Sequence, residues 1–87
     1  MAPESTEKRI GRITHFYSHL NVGIVELTEG ELKVGDTIRI KGKHTDFTQT
    51  VDSLQVEHQG VTQAFKGKSV GIKVKEKVRE HDLVFLV

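Results

Sequence analysis

The sequence predicts an all-β domain, a closed six-stranded small β-barrel, on three observations. Apolar and polar residues alternate in short segments, most clearly in Thr37–Lys41 and Ser69–Glu76, and alternation places successive strand side chains on opposite faces. Glycine and aspartate separate these segments, as is typical of turns, and no long window has helical periodicity. Gly23 and Gly71 fall inside predicted strands and would permit sharp bending, so a barrel, whose closure removes sheet edges, is favoured over a sandwich.

Three strands are predicted in the first half of the domain. Residues 1–7 are polar and acidic and predict a disordered tail, so the single domain spans residues 8–87. The strands that follow are Lys8–Phe16, Leu20–Leu27 and Thr37–Lys41. The third follows the turn Gly30–Asp36, and its Ile38 and Ile40 alternate with polar residues. This pattern is typical of a half-buried strand that leaves a tight turn.

The second half of the domain predicts three more strands, namely Phe47–His58, Ser69–Glu76 and Leu83–Val87. In the first of them, Val51 and Leu54 are three residues apart rather than two, which predicts a β-bulge near Asp52 and Ser53. Residues 59–67 are expected to form a loop. Two aromatic residues beyond the bulge, Phe65 and Phe85, are expected in the core.

Length and composition set limits on the class of protein. The 87 residues suffice for one domain with a thin core. The chain has no cysteine, which favours a reducing compartment. The N-terminus is not of the signal-peptide type, and no apolar run is long enough to cross a membrane. The cytoplasm is therefore the expected location.

Several segments resemble, in their order and spacing, domain II of the translational GTPases, the β-barrel that follows the nucleotide-binding domain. The segments are Gly11–Ile13, Val22–Leu27, Gly30–Ile38, Gly42, Val51–Gln55, Ala64–Ile72 and Asp82–Val84. The pattern is also similar to the C-terminal barrel of U32-type peptidases and most similar to short stand-alone translation-factor-like proteins. The resemblance implies a barrel of this type and an association with RNA or the ribosome.

Two short motifs have part of the residue spacing of a chemical site. Gly67-Lys68-Ser69 lacks the glycine that a phosphate-binding loop needs five residues earlier, where Thr62 stands. His15 and His19 have the spacing of a zinc pair, but further ligands and cysteine are lacking. No spacing predicts a nucleophile with its base. We therefore expect no nucleotide, metal or other cofactor and no enzymatic activity.

Two surfaces are predicted to bind partners. The first is a cationic strip able to contact phosphates, made of Arg39, Lys41, Lys43, Lys66, Lys68, Lys73 and Lys75. The second is the final segment, which is apolar on both alternating positions: Leu83, Val84, Phe85, Leu86 and Val87. This pattern is typical of a strand covered on its second side by a loop or by the N-terminal segment, and as a functional alternative it predicts a docking edge for another protein. The leading hypothesis is a non-catalytic module that binds RNA or a translation-related ribonucleoprotein. The alternative is a protein–protein adaptor that docks through the last strand, for example to a U32-type peptidase.

Overall fold

The computed structural model describes residues 8–87, and the tail predicted at residues 1–7 lies outside them. The described residues form strands and turns without an α-helix, so the all-β prediction is confirmed. The strands are β1 (Lys8–Tyr17), β2 (Val22–Leu27), β3 (Glu31–Lys33), β4 (Thr37–Lys41), β5 (Asp46–Thr50), β6 (Leu54–Val56), β7 (Gln59–Val61), β8 (Gln63–Phe65), β9 (Ser69–Lys73) and β10 (Leu83–Leu86).

The prediction of a closed six-stranded barrel is wrong. Eight strands form one antiparallel sheet in the order β5-β4-β10-β1-β2-β9-β6-β7, and β3 pairs with β8 in a separate two-stranded sheet. The large sheet curls strongly into a half-barrel, with β5 and β7 at its edges. Register shifts in β1, between Arg9 and Gly11 and again between Ile13 and His15, mark two β-bulges, and bulges increase the local twist and bend of a strand.

The core lies on the concave face of the curled sheet. The period-two side chains of β4 and β9 point there, as the alternation predicted, since Ile38, Ile40, Val70 and Ile72 are all buried. The small sheet adds Leu32 and Ala64 to the same cluster of buried residues, which also includes Ile10, Ile13, Val25, Leu27, Phe47, Val51, Leu54, Val74, Val78 and Val84.

The long strand predicted from Phe47 to His58 is two strands. β5 ends at Thr50, residues 51–53 are not in a strand, and β6 begins at Leu54. The bulge expected near Asp52 and Ser53 is therefore a corner. The physical reason is the topology, because β5 forms one edge of the sheet whereas β6 lies beside the strand at the opposite edge. The break in the alternation between Val51 and Leu54 marks the point where the chain crosses from one edge of the sheet towards the other.

The predicted loop 59–67 contains two short strands. Glu57 and His58 adopt positive φ angles of 52° and 68°, and this turn folds β7 back onto β6. Strand β8 follows, with Ala64 buried and Phe65 55% exposed. The expectation that Phe65 belongs to the core is wrong, because alternation allows only one of these two neighbours to point inward.

The edge strand β5 is tied to the segment after β9 by one side chain. The Gln49 amide nitrogen donates to the carbonyl of Lys73 at 2.7 Å, and the Lys75 amide donates to the Gln49 side-chain oxygen at 2.9 Å. A single glutamine thus satisfies a backbone acceptor and a backbone donor that an open sheet would otherwise expose.

Two glycines lie where the chain leaves no space for a side chain. A Cβ on Gly11 would collide with the backbone oxygen of Glu26 across the β1–β2 pair. A Cβ on Gly42 would collide with the carboxylate of Asp82, a side chain only 3% exposed. That carboxylate is held in place because its Oδ2 accepts a hydrogen bond from the Arg79 amide at 2.9 Å.

Candidate functional site

The structure places the predicted cationic strip in two groups. Arg39 and Lys41 lie on β4, and Lys43 lies in the loop that follows. The other four residues are Lys66 and Lys68 in the β8–β9 connection, and Lys73 and Lys75 at the end of β9 and just after it. Three strands, β10, β1 and β2, separate β4 from β9 in the sheet. All seven side chains are exposed except that of Arg39, which is half-buried.

Arg39 forms a salt bridge with Asp46. Its Nε donates to Asp46 Oδ1 and its second terminal nitrogen to Asp46 Oδ2, both at 2.8 Å. This two-point pairing is the strong geometry for guanidinium and carboxylate. The hydrogen bond from Arg39 lowers the pKa of Asp46, and the nearby Lys41 charge acts in the same direction. A phosphate would have to compete with Asp46 for this arginine.

The Arg39–Asp46 pair predicts a pH dependence of stability. Because the folded pKa of Asp46 is lowered, the pair stabilises the fold above the ordinary aspartate pKa, and this contribution disappears as pH falls through the folded pKa. We expect Asp46→Asn to lower the urea midpoint slightly at neutral pH and to leave it unchanged in strong acid. Equal midpoint differences at both pH values would contradict this assignment, and Asp52→Asn is the control.

The last strand is not an edge. β10 pairs with β4 on one side and with β1 on the other, so its backbone groups face neighbouring strands, and the docking edge expected there is wrong. Val84 is fully buried and Leu86 packs against the core. The outward positions are Leu83 and Phe85, both half-buried, followed by Val87, which is 51% exposed. Any docking through this strand must therefore use its outer face.

A groove of about 500 Å³ lies on the convex face of β1, β2, β9 and β6. Its lining residues are Thr14, His15, Tyr17, Leu20, Val22, Ile24, Gln55, Glu57, His58, Ser69, Val70 and Gly71. The cross-strand register places Ile24 opposite Gly71, and Val22, two pairs further along, opposite Lys73. The groove falls within the ~300–1,000 Å³ that is usual for ligand sites, and its floor is mainly aliphatic.

Sequence analysis missed this groove, although a signal was present. In Val22–Leu27 the inward positions are Gly23, Val25 and Leu27, yet Val22 and Ile24 are also apolar and face outward, half-buried. This is the same two-sided apolar pattern that singled out the last strand. A polar residue is usual on the solvent face of an antiparallel sheet, so the pattern indicates a partly covered or binding surface.

Rim residues of the groove make few polar contacts with one another. His15 stacks on Tyr17 with ring centroids 6.3 Å apart, and its Nδ1 lies 3.8 Å from Glu80. Within residues 8–87 no group of three His, Asp, Glu or Cys side chains is arranged to hold a metal ion. In the same range, no helix has the length and apolar character needed to cross a bilayer.

The chain is similar to one protein family and to segments of longer proteins. The family model of elongation factor Tu domain 2 matches residues 21–81. A protein of Methanocaldococcus jannaschii named as an uncharacterized protease is 44% identical over 79 residues, which are 90% of this chain and 19% of that protein. A collagenase of Porphyromonas gingivalis is 39% identical over 77 residues, which are 87% of this chain and 21% of that protein. The chain thus spans about a fifth of the curated relatives it matches.

Solved structures share the fold. The C-terminal domain of a U32 peptidase from Geobacillus thermoleovorans superposes with a TM-score of 0.85, covering 92% of this chain and 92% of that one at 17% sequence identity. A selenomethionine variant of the same domain gives a TM-score of 0.83, with 88% of this chain and 96% of that chain covered, at 18% identity. The shared architecture extends over most of both chains.

Proposed function

The chain belongs to the elongation factor Tu domain 2 family, and on that premise we propose that it is a non-catalytic domain that docks onto a polypeptide partner of the U32 peptidase type. The observation that carries the proposal is the apolar outer face of the sheet. Val22 and Ile24 in the groove, and Leu83 and Phe85 on β10, are apolar on the face where an isolated domain usually places polar residues. Apolar surface of this kind marks interaction sites.

The relatives support this choice of partner. Proteins named as a protease and as collagenases contain a matching segment as about a fifth of their length. A domain that is covalently part of such a chain lies next to the rest of that chain. In a separate chain, the equivalent contact would be made by non-covalent docking.

The hydrogen bonds of the threonine hydroxyls and of the buried carboxylate are consistent with a domain that binds a partner and does not catalyse a reaction. The hydroxyls of Thr14 and Thr28 donate to the backbone carbonyls of Ile24 and Ile10, each at 3.4 Å, rather than to a base. A catalytic nucleophile needs a base within hydrogen-bond reach. The buried carboxylate of Asp82 accepts the Arg79 amide and serves the turn.

Docking is tested with the full chain and a purified U32-type peptidase encoded in the same genome. We expect the two to co-elute in size-exclusion chromatography with light scattering and to stay together when salt is raised, because burial of apolar surface is insensitive to screening. Separate elution of both proteins at about 50 µM, where a micromolar complex would persist, would refute the proposal.

RNA binding is a second candidate, carried by a different observation. Lys66, Lys68, Lys73 and Lys75 are exposed and form no ion pair within residues 8–87. Two of these cations precede β9 and two lie at its far end, so together they could engage several phosphates of a single strand. Each phosphate contact would add about −0.7 to the slope of log affinity against log salt.

The two groups of the cationic strip provide matched variants for this test. Charge reversal at Lys66, Lys68, Lys73 and Lys75 should abolish retention of a labelled single-stranded RNA and flatten its salt dependence. Reversal at Lys41 and Lys43, in the group where Arg39 is already paired, should have a smaller effect. RNA retention that is independent of salt, or absent in the unmodified protein, would dismiss this candidate.

A further inference from the structure

We propose that the groove on β1, β2, β9 and β6 binds one large apolar side chain presented by an acidic segment of polypeptide. The inference rests on the proposed docking function and specifies the chemistry of the contact. It is carried by two features of the groove, a glycine that the backbone does not need and an aliphatic floor with an apolar rim, and by a cation that lies outside the lining but on the same outer face.

Gly71 provides the first argument. Unlike Gly30, Gly35 and Gly67, it has no positive φ angle that would disfavour a side chain. Nor would a Cβ collide with anything, since the nearest atoms would be Val22 Cγ1 at 3.5 Å and Ile24 Cδ1 at 3.6 Å, which is ordinary van der Waals contact. Neither the backbone nor local packing requires glycine here, and its effect is to leave the floor of the groove open.

The apolar surroundings provide the second argument. Val22 and Ile24 form the floor beside Gly71, and Tyr17 and Leu20 stand at one end of the groove, 45% and 52% exposed. These two are among the few large hydrophobic side chains that the described residues leave exposed. An open depression with apolar floor and apolar rim gains most from a large apolar side chain that is itself removed from water.

The positive charge of Lys73 provides the third argument and favours an acidic ligand. Lys73 follows Gly71 by two residues on β9, so its side chain leaves the same outer face, and it pairs in register with Val22. It forms no ion pair within residues 8–87. A carboxylate next to the apolar anchor would meet this ammonium group.

A nucleic acid strand fits the groove less well than a polypeptide. Its phosphates would follow one another along the groove, and Glu57 in the lining and Glu80 beside His15 would repel them. A polypeptide can place its one carboxylate at Lys73 and direct neutral residues towards Glu57. The geometry therefore favours an acidic peptide with a single large apolar anchor.

The test uses the full chain and a short capped peptide in which one tryptophan is flanked by aspartates. The protein contains no tryptophan, so emission from the peptide reports burial of its anchor directly. We expect a saturable blue shift with the unmodified chain and none with a peptide that carries alanine in place of tryptophan. Absence of a saturable shift up to millimolar protein would overturn the inference.

Two matched substitutions locate the binding. Gly71→Val, which fills the floor, should weaken the tryptophan peptide at least about tenfold, equivalent to about 1.4 kcal/mol. Gly60→Val is the control, because a side chain there would meet nothing within 4 Å, and it should bind as the unmodified chain does. Unchanged binding by folded Gly71→Val would overturn the inference. If that variant fails to fold, Ile24→Thr serves in its place with the same expected direction.

Further outcomes separate this inference from the docking function and from RNA. Lys73→Glu should weaken the aspartate-flanked peptide and leave a serine-flanked one unchanged. If the U32-type peptidase binds Gly71→Val as tightly as the unmodified chain, the groove inference fails while docking stands. If the peptide binds the groove and the peptidase does not bind the chain, the inference stands and docking fails. Displacement of the peptide by an oligoadenylate at lower concentration than by unlabelled peptide would overturn the inference in favour of RNA.

Discussion

Substitution of Gly42 by alanine is expected to destabilise the fold by about 2–4 kcal/mol, because overpacking costs about 1–3 kcal/mol and a disturbed buried hydrogen bond adds to it. The added Cβ would overlap the Asp82 carboxylate, whose Cγ would lie 2.6 Å away. Asp82 cannot move freely, because it is 3% exposed and accepts the Arg79 amide. Gly42 is itself fixed by donating its amide to the Thr45 carbonyl at 2.7 Å. A domain of this size has only about 4–13 kcal/mol of total stability.

Urea denaturation of Gly42→Ala against Gly60→Ala measures this effect, since position 60 is open. A double variant that also carries Asp82→Ala should lose much less than the sum of the two single losses, because Asp82→Ala removes the carboxylate that the Cβ added at position 42 would overlap. Simple additivity, or a Gly42→Ala midpoint equal to that of Gly60→Ala, would show that the carboxylate moves away without cost.

Substitution of Leu32 by alanine is the second large effect, expected at about 2–5 kcal/mol for a buried leucine. Leu32 is 0% exposed and lies on the three-residue strand β3, whose partner strand β8 contributes the buried Ala64. The half-barrel depends on this small sheet for core contacts that its own strands do not supply. Leu32→Ala would place alanine opposite Ala64 and leave a cavity between the small sheet and the rest of the core. Strands of three residues could fill that cavity only by shifting from their present positions.

Val34→Ala is the matched control for Leu32→Ala, because Val34 lies two residues further along and is 41% exposed. Thermal unfolding should separate the two variants clearly, with the control within about 0.5 kcal/mol of the unmodified chain, as surface substitutions usually are. A loss below 1 kcal/mol for Leu32→Ala would mean that the small sheet does not support the core.

The strands that could be predicted were those with enough length for alternation to show. β4 and β9 each have five residues with isoleucine or valine at every inward position. β3, β7 and β8 have three residues each, too few for a period of two to stand out from a loop. The turn at Glu57 and His58 carried no glycine or asparagine, although both residues have positive φ, so the return of the chain there had no local signal.

Closure of the barrel could not be decided from alternation alone. Period two shows which face of a strand is buried, but it does not show which strands are neighbours. The break between Val51 and Leu54 was visible, yet the same break is compatible with a bulge in one strand or a corner between two. The exposed lysines could be predicted from the sequence, because charge is read directly from residue type, whereas the pairing of Arg39 with Asp46 and the groove over Gly71 depend on register.

The position of β10 has a consequence for how the chain acquires its fold. β10, which follows all the other strands of this domain in the chain, inserts between β4 and β1. Before it is synthesised, β4 and β1 therefore have no strand between them. Until β10 arrives, β1 offers an unpaired side to other nascent chains. Folding should accordingly be a late and concerted event on the millisecond-to-second scale of topologies with many distant contacts, and premature termination near residue 82 should yield an aggregation-prone product rather than a smaller version of the domain.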